Sequence, residues 1–153
     1  MAHLQGRGIA VELPPGFEGR ILQRAPVGGG IPQPVVHLAT FALPPGTADF
    51  GGGATPLMGP DDVFVVLFEF GAESVGRELF RAQGLPRSVR PSELSPFRLR
   101  RGIDGQAGGQ WFFTEAGRPF TLYVVVGSFA ARARLAARVG ELLAGVRVEA
   151  RAA

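Results

Sequence analysis

The side chains best equipped for chemistry in this chain are two histidines, thirteen carboxylates and sixteen arginines. His37 is the candidate catalytic residue, because an imidazole can act as a general base near neutral pH. It sits between Val36 and Leu38 in a strand pattern, and no spacing marks a partner for it. The competing reading is a core histidine whose ring nitrogens are satisfied by hydrogen bonds. His3 lies at the N-terminal end, far from His37, and the two have no metal-ligand spacing. No catalytic residue beyond the candidate His37, no cofactor-binding residue and no metal ligand is assigned.

Asp49, Asp61, Asp62, Glu69 and Glu73 could pair for acid–base work or bind a hard cation. Asp61-Asp62 resembles a solvated strand entry. Glu69 shares the face of Val63, Val65 and Leu67, so it either reaches solvent at the strand end or pairs with an arginine. The glycine runs Gly28–Gly30 and Gly51–Gly53 invite a phosphate-loop reading. Neither has the strand-before, helix-after context or the Lys that such loops use, so flexible loops are expected. Arg98, Arg100 and Arg101 form the densest basic patch, with Trp111 and Phe112 nearby in sequence. That combination suggests a nucleic-acid surface, but no recognised nucleic-acid signature accompanies it, and a solvated edge strand is expected. Ser74, Ser88, Ser92, Ser95 and Ser128 lack a Gly-x-Ser-x-Gly context and do not support a hydrolase elbow.

Around these residues the composition is that of a packed globule. The chain has 153 residues, 46% hydrophobic and 19% charged, which favours one domain and argues against disorder. All basic residues other than histidine are arginine, and Lys, Asn and Cys are absent. Missing Lys and Asn point to a GC-rich genome, since both use AT-rich codons. Phosphate recognition would instead cluster the arginines, which run from Arg7 to Arg151. The absence of Cys removes disulfides, thiolate nucleophiles and Cys-ligated metals. A net charge of +3 is little support for a nucleic-acid partner. No apolar stretch has the length of a signal peptide or of a membrane span, so a cytoplasmic location is expected.

The pattern predicts an α+β fold: a single domain, mainly antiparallel β-sheet, with flanking helices including one at the C-terminus. Gly8–Leu13 and Glu18–Arg24 read as a strand, a Pro-Pro-Gly turn and a return strand. Val35–Leu43 and Asp62–Phe70 are apolar on both faces and belong in the middle of a sheet. Pro44–Pro60 is a long Gly-rich loop and so a possible binding surface. Glu73–Gln83 predicts a short helix packed through Val75, Leu79 and Phe80, and Phe97–Arg101 a short edge strand. Gln110–Thr114 and Pro119–Gly127 predict a hairpin. Phe129–Ala144 predicts a helix with Ser128 as N-cap, Gly145 as stop and an apolar stripe of Leu135, Val139, Leu142 and Leu143. Val146–Val148 adds a last strand. Residues 1–7 and 149–153 are expected to fray.

Gly8–Phe17, an apolar strand entering a Pro-x-Gly-aromatic turn, and Phe120–Val148, a strand–helix–strand ending, together resemble the PsbP-like family. Phe17 stands where that family more often has Trp. The resemblance implies an antiparallel sheet flanked by helices and adaptor-type roles without catalysis. It brings over no binding residue. The function expected is a non-catalytic protein-interaction or adaptor domain whose partner is another protein or a second copy of itself. The alternative is a small-ligand binder or enzyme with a pocket near His37.

Overall fold

The computed structural model describes residues 2–25 and 28–151. Its strands are β1 (Ala2–Gly6), β2 (Ile9–Leu13), β3 (Glu18–Arg24), β4 (Gln33–Ala39), β5 (Val63–Glu69), β6 (Ala107–Glu115), β7 (Arg118–Val126) and β8 (Val146–Val148), with one α-helix, α1 (Arg132–Ala144), between the last two. A five-stranded sheet runs β3-β4-β5-β7-β6 and a three-stranded sheet runs β1-β2-β8, all pairs antiparallel. The α+β expectation and the C-terminal strand–helix–strand order hold.

Every residue of β4, β5 and β7 is buried. Side chains alternate across a sheet, so a strand buried throughout needs cover on both faces. On one face Val36, Leu38, Val63, Val65, Leu122 and Val124 meet α1 and β2. The α1 stripe of Leu135, Val139, Leu142 and Leu143 is buried there as its spacing predicts. On the other face Val35, Ala39, Phe64, Val66, Tyr123 and Val125 have no α-helix over them among the described residues. They are covered by the connection between β4 and β5, through Leu43, Ala54, Phe50 and Met58. The loop Pro44–Pro60 is therefore a lid of the core.

Several expectations are corrected. The strands flanking Pro14-Pro15-Gly16 do not pair with each other: β2 pairs with β1 and β8, and β3 with β4. The turn carries the chain from one sheet to the other. Within the N-terminal stretch Ala2–Gly6 forms β1, joined to β2 through the left-handed pair Arg7-Gly8. At the other end the Glu149 N–H donates to Gly8 O at 2.8 Å. Met1, Ala152 and Ala153, also expected to fray, lie outside the described residues, as do Pro26 and Val27 of the loop Ala25–Pro34.

Glu73–Gln83 holds no α-helix. It forms 3₁₀ turns at Ala72–Ser74 and Glu78–Phe80, broken at Gly76, whose φ is +84°. Phe80 is buried, whereas Val75 and Leu79 are exposed. Phe97–Arg101 is not a strand. Pro96–Arg98 makes a 3₁₀ turn, and Ser95 bridges to Gly108 on the outer edge of β6. Residues 82–84 bond to Thr114 on that same edge, so the loop Gln83–Pro96 begins and ends against it. Ser128 Oγ accepts the Ala131 N–H at 3.2 Å, one turn before α1 begins at Arg132.

Gly51 shows how tightly the lid fits. Its φ is +78°, and a Cβ there would run into the Phe64 ring; Gly52 has open space around it. Gly51→Ala is expected to cost about 2–4 kcal/mol, from left-handed strain plus overpacking. Gly52→Ala should cost under about 0.5 kcal/mol. Urea unfolding of the two variants checks the contrast.

Candidate functional site

His37 faces the lid side of β4. It is 4% exposed, and its Nε2–H donates to the Asp49 carbonyl at 2.7 Å. The Phe64 ring meets it edge-on at 5.4 Å. Burial lowers its pKa, and that effect exceeds the opposing pull of the Asp49 carbonyl. The adjoining cavity, lined by Leu43, Pro44, Thr47, Asp49 and Ala54, measures about 30 Å³. That is room for about one water. His37 is a neutral strut tying the sheet to its lid.

The five acidic candidates are not brought together. Asp49 accepts from Thr47 Oγ1 at 2.6 Å and from the Gly51 N–H at 2.8 Å, which shapes the lid. Asp61 pairs with Arg134 on the surface, while Asp62 accepts from Thr40 Oγ1 and the Gly59 N–H. Glu73 is exposed. His3 is exposed and lies 3.4 Å from Glu12. Among the described residues, no group of three or more His, Asp or Glu side chains is placed to hold a metal ion.

Glu69 pairs with arginine, one of its two expected fates. It ends β5 at 1% exposure. Arg118 grips it through Nε–H and Nη2–H at 3.1 and 2.7 Å, and Arg151 through the same two groups at 3.3 and 2.8 Å. Arg118, 3% exposed, also donates to the Glu149 and Arg7 carbonyls, both at 3.0 Å. One guanidinium thus joins the large sheet, the β1–β2 turn and the C-terminal segment. Beside this knot a cleft of about 120 Å³ is lined by Ile31, Gln33, Phe70, Ala72, Val75 and Pro119. Ile31 is 66% exposed and Val75 47%.

The basic patch is split by the sheet. Trp111 packs with the helix-side core and donates Nε1–H to Glu93 Oε2 at 3.1 Å. The Arg90 backbone N–H, helped by that indole, holds the Glu93 carboxyl below the usual carboxylate range. Arg100 sits on the lid side instead, 3.6 Å above the Phe50 ring, with its backbone N–H bonded to Tyr123 Oη at 2.8 Å. Burial pushes the Tyr123 phenol up, so it stays protonated. Phe50, Arg118 and Arg151 went unmarked in the sequence; the only signal was the carboxylate of Glu69 at the end of an apolar strand. No family model matches the chain, and no curated protein or solved structure shows significant similarity to it.

Two measurements check these assignments. Glu69→Ala leaves Arg118 buried without its carboxylate and is expected to cost about 3–5 kcal/mol. Arg151→Gln, at a half-exposed position, should cost less than about 1 kcal/mol. His37 has its pKa lowered on folding, so protonation favours the unfolded chain. Its contribution to stability is full above the unfolded value of 6.5 and is lost as pH falls below it. Denaturation from pH 8 to 5 should show that decline, and His37→Gln should flatten it.

Proposed function

We propose that the chain is a non-catalytic interaction domain of the cytoplasm, and that its partner is a protein, either another chain or a second copy of itself. The observation that carries this reading is the cleft beside Glu69. Two apolar side chains, Ile31 and Val75, stand exposed on its rim, and Phe70 lines it. Arg151, 40% exposed, adds a cation at the same place. Such a cleft suits an apolar side chain of a partner with a carboxylate beside it. The resemblance to the PsbP-like family, with its adaptor roles, points the same way. The alternative centred on His37 has less support, because that ring is spent on a backbone carbonyl and its cavity has room for about one water.

A light-scattering concentration series, together with affinity capture on the immobilised chain, tests the reading. Self-association or stoichiometric retention of one protein is expected. Ile31→Glu with Val75→Glu should abolish either. A wild-type chain that stays monomeric and retains nothing would overturn the proposal.

A further inference from the structure

The two outer edges of the five-stranded sheet differ. On β6, residues 82–84 and Ser95 bond to the open side of the strand, at Thr114 and Gly108. On β3 no such cover is present among the described residues. This seven-residue strand pairs with β4 alone, and its outward N–H and C=O groups meet no further backbone partner there. Its residues are half-buried or exposed, whereas those of β4 are all buried. An open edge of this length is a template for another strand.

The charges that would guard that edge are turned away from it. Arg20 reaches back over its own sheet to the Leu43 and Pro44 carbonyls, at 2.9 and 2.8 Å. Arg24 lies 4.7 Å over the Phe68 ring of β5, two strands in, and donates to Glu69 O at 3.2 Å. Glu18 accepts the Leu43 N–H at 3.0 Å. Prolines and bulges also protect edges. Strand β3 has no proline, and its register with β4 is unbroken from Glu18 to Arg24.

The sequence of β3 is complementary to itself. Residues opposite one another in antiparallel strands share a face, so a twofold axis between two copies must pass through a residue paired with itself. About Ile21, Glu18 lies across from Arg24 at both ends, Gly19 from Gln23 and Arg20 from Leu22. No like charges meet. Centring on Arg20 sets that residue against its own copy, and centring on Leu22 sets Arg20 against Arg24. The edge also runs up to the cleft beside Glu69. Arg24 donates to Gln33 Oε1 at 3.0 Å as well as to Glu69 O, and both residues line that cleft.

We propose that two copies of the chain join β3 to β3, antiparallel and centred on Ile21, so that two five-stranded sheets become one. This rests on the second-copy form of the function proposed above and names the edge through which the copies meet. Main-chain hydrogen bonds hold the pair, and the charge pattern fixes the register.

The chain has no cysteine, so single cysteines report the register without background. Ile21→Cys brings two thiols to paired positions, with Cα atoms about 4.5–5.5 Å apart and within disulfide range. Gln23→Cys, on the same face and more exposed, sets them four residues out of register, about 13 Å apart. On mild oxidation Ile21→Cys is expected to cross-link into a dimer, and Gln23→Cys at least about tenfold less. Light scattering of the wild-type chain should read twice the monomer mass. Its Glu18–Arg24 amides should exchange more slowly as concentration rises, while those of β1 stay unchanged.

A wild-type chain that stays monomeric overturns the proposal, and leaves the function above standing if the chain retains another protein. Cross-linking of Gln23→Cys equal to that of Ile21→Cys, or β3 exchange indifferent to concentration, also overturns it. A dimer with neither signature that Ile31→Glu with Val75→Glu abolishes removes the β3 pairing and keeps the cleft. A dimer with both signatures that survives the double substitution keeps the β3 pairing and removes the cleft.

Discussion

A sheet that is apolar on both faces must be covered on both, and the described residues hold one α-helix with which to do it. Strands β4, β5 and β7 are buried throughout. Each buried Val, Leu or Phe side chain is worth about 1.5–3 kcal/mol, so an open face would forfeit much of the stability of a small domain. Helix α1 and the β1-β2-β8 sheet close one side. The connection between β4 and β5 closes the other, and its irregular path follows from that task. It must bring Leu43, Phe50, Ala54 and Met58 onto Val35, Phe64 and Tyr123 with only the short 3₁₀ turn Thr55–Leu57 as regular structure. Asp49 binding its own loop and His37 binding Asp49 O add to the few backbone bonds of that turn, where a full helix would have made its own.

The two layers are joined at their margin by charge. Arg118 lies at the start of β7 and reaches Glu69, the Arg7 carbonyl and the Glu149 carbonyl at once. A buried pair of this kind adds little net stability compared with an apolar pair, because desolvation offsets the attraction. What it supplies is geometry. A guanidinium with four of its five N–H groups directed allows one arrangement of the turn, the strand end and the C-terminal segment.

The parts of the fold legible in the sequence were those with a period. The alternation in Asp62–Phe70 and the stripe in α1 report a face directly, and both recur in the structure with the expected residues buried. What escaped was set by partners distant in sequence. Pro-Pro-Gly at 14–16 signals a turn but cannot say that the next strand joins another sheet. Val75, Leu79 and Phe80 carry helical spacing, but a left-handed Gly76 between Val75 and Leu79 outweighs it. For the candidate site, His37 was singled out by its chemistry, and its pairing with a backbone carbonyl could not be read from its neighbours. The destination of Glu69 was narrowed to solvent or an arginine, but which arginine depends on contacts spanning 49 and 82 positions.

The same packing decides which polar groups are already engaged. The His37 imidazole and the Asp49 and Glu69 carboxylates are hydrogen-bonded in holding the covers in place. Among the described residues, groups left with unused hydrogen-bonding capacity include the Arg100 guanidinium on Phe50 and, sealed in the interior, the Thr55 hydroxyl, Arg24 Nε and Gln106 Oε1. A group fixed in position with donors to spare has already lost most of the freedom that binding would cost it. In this molecule, preorganisation is a by-product of an irregular lid that had to cover an apolar face.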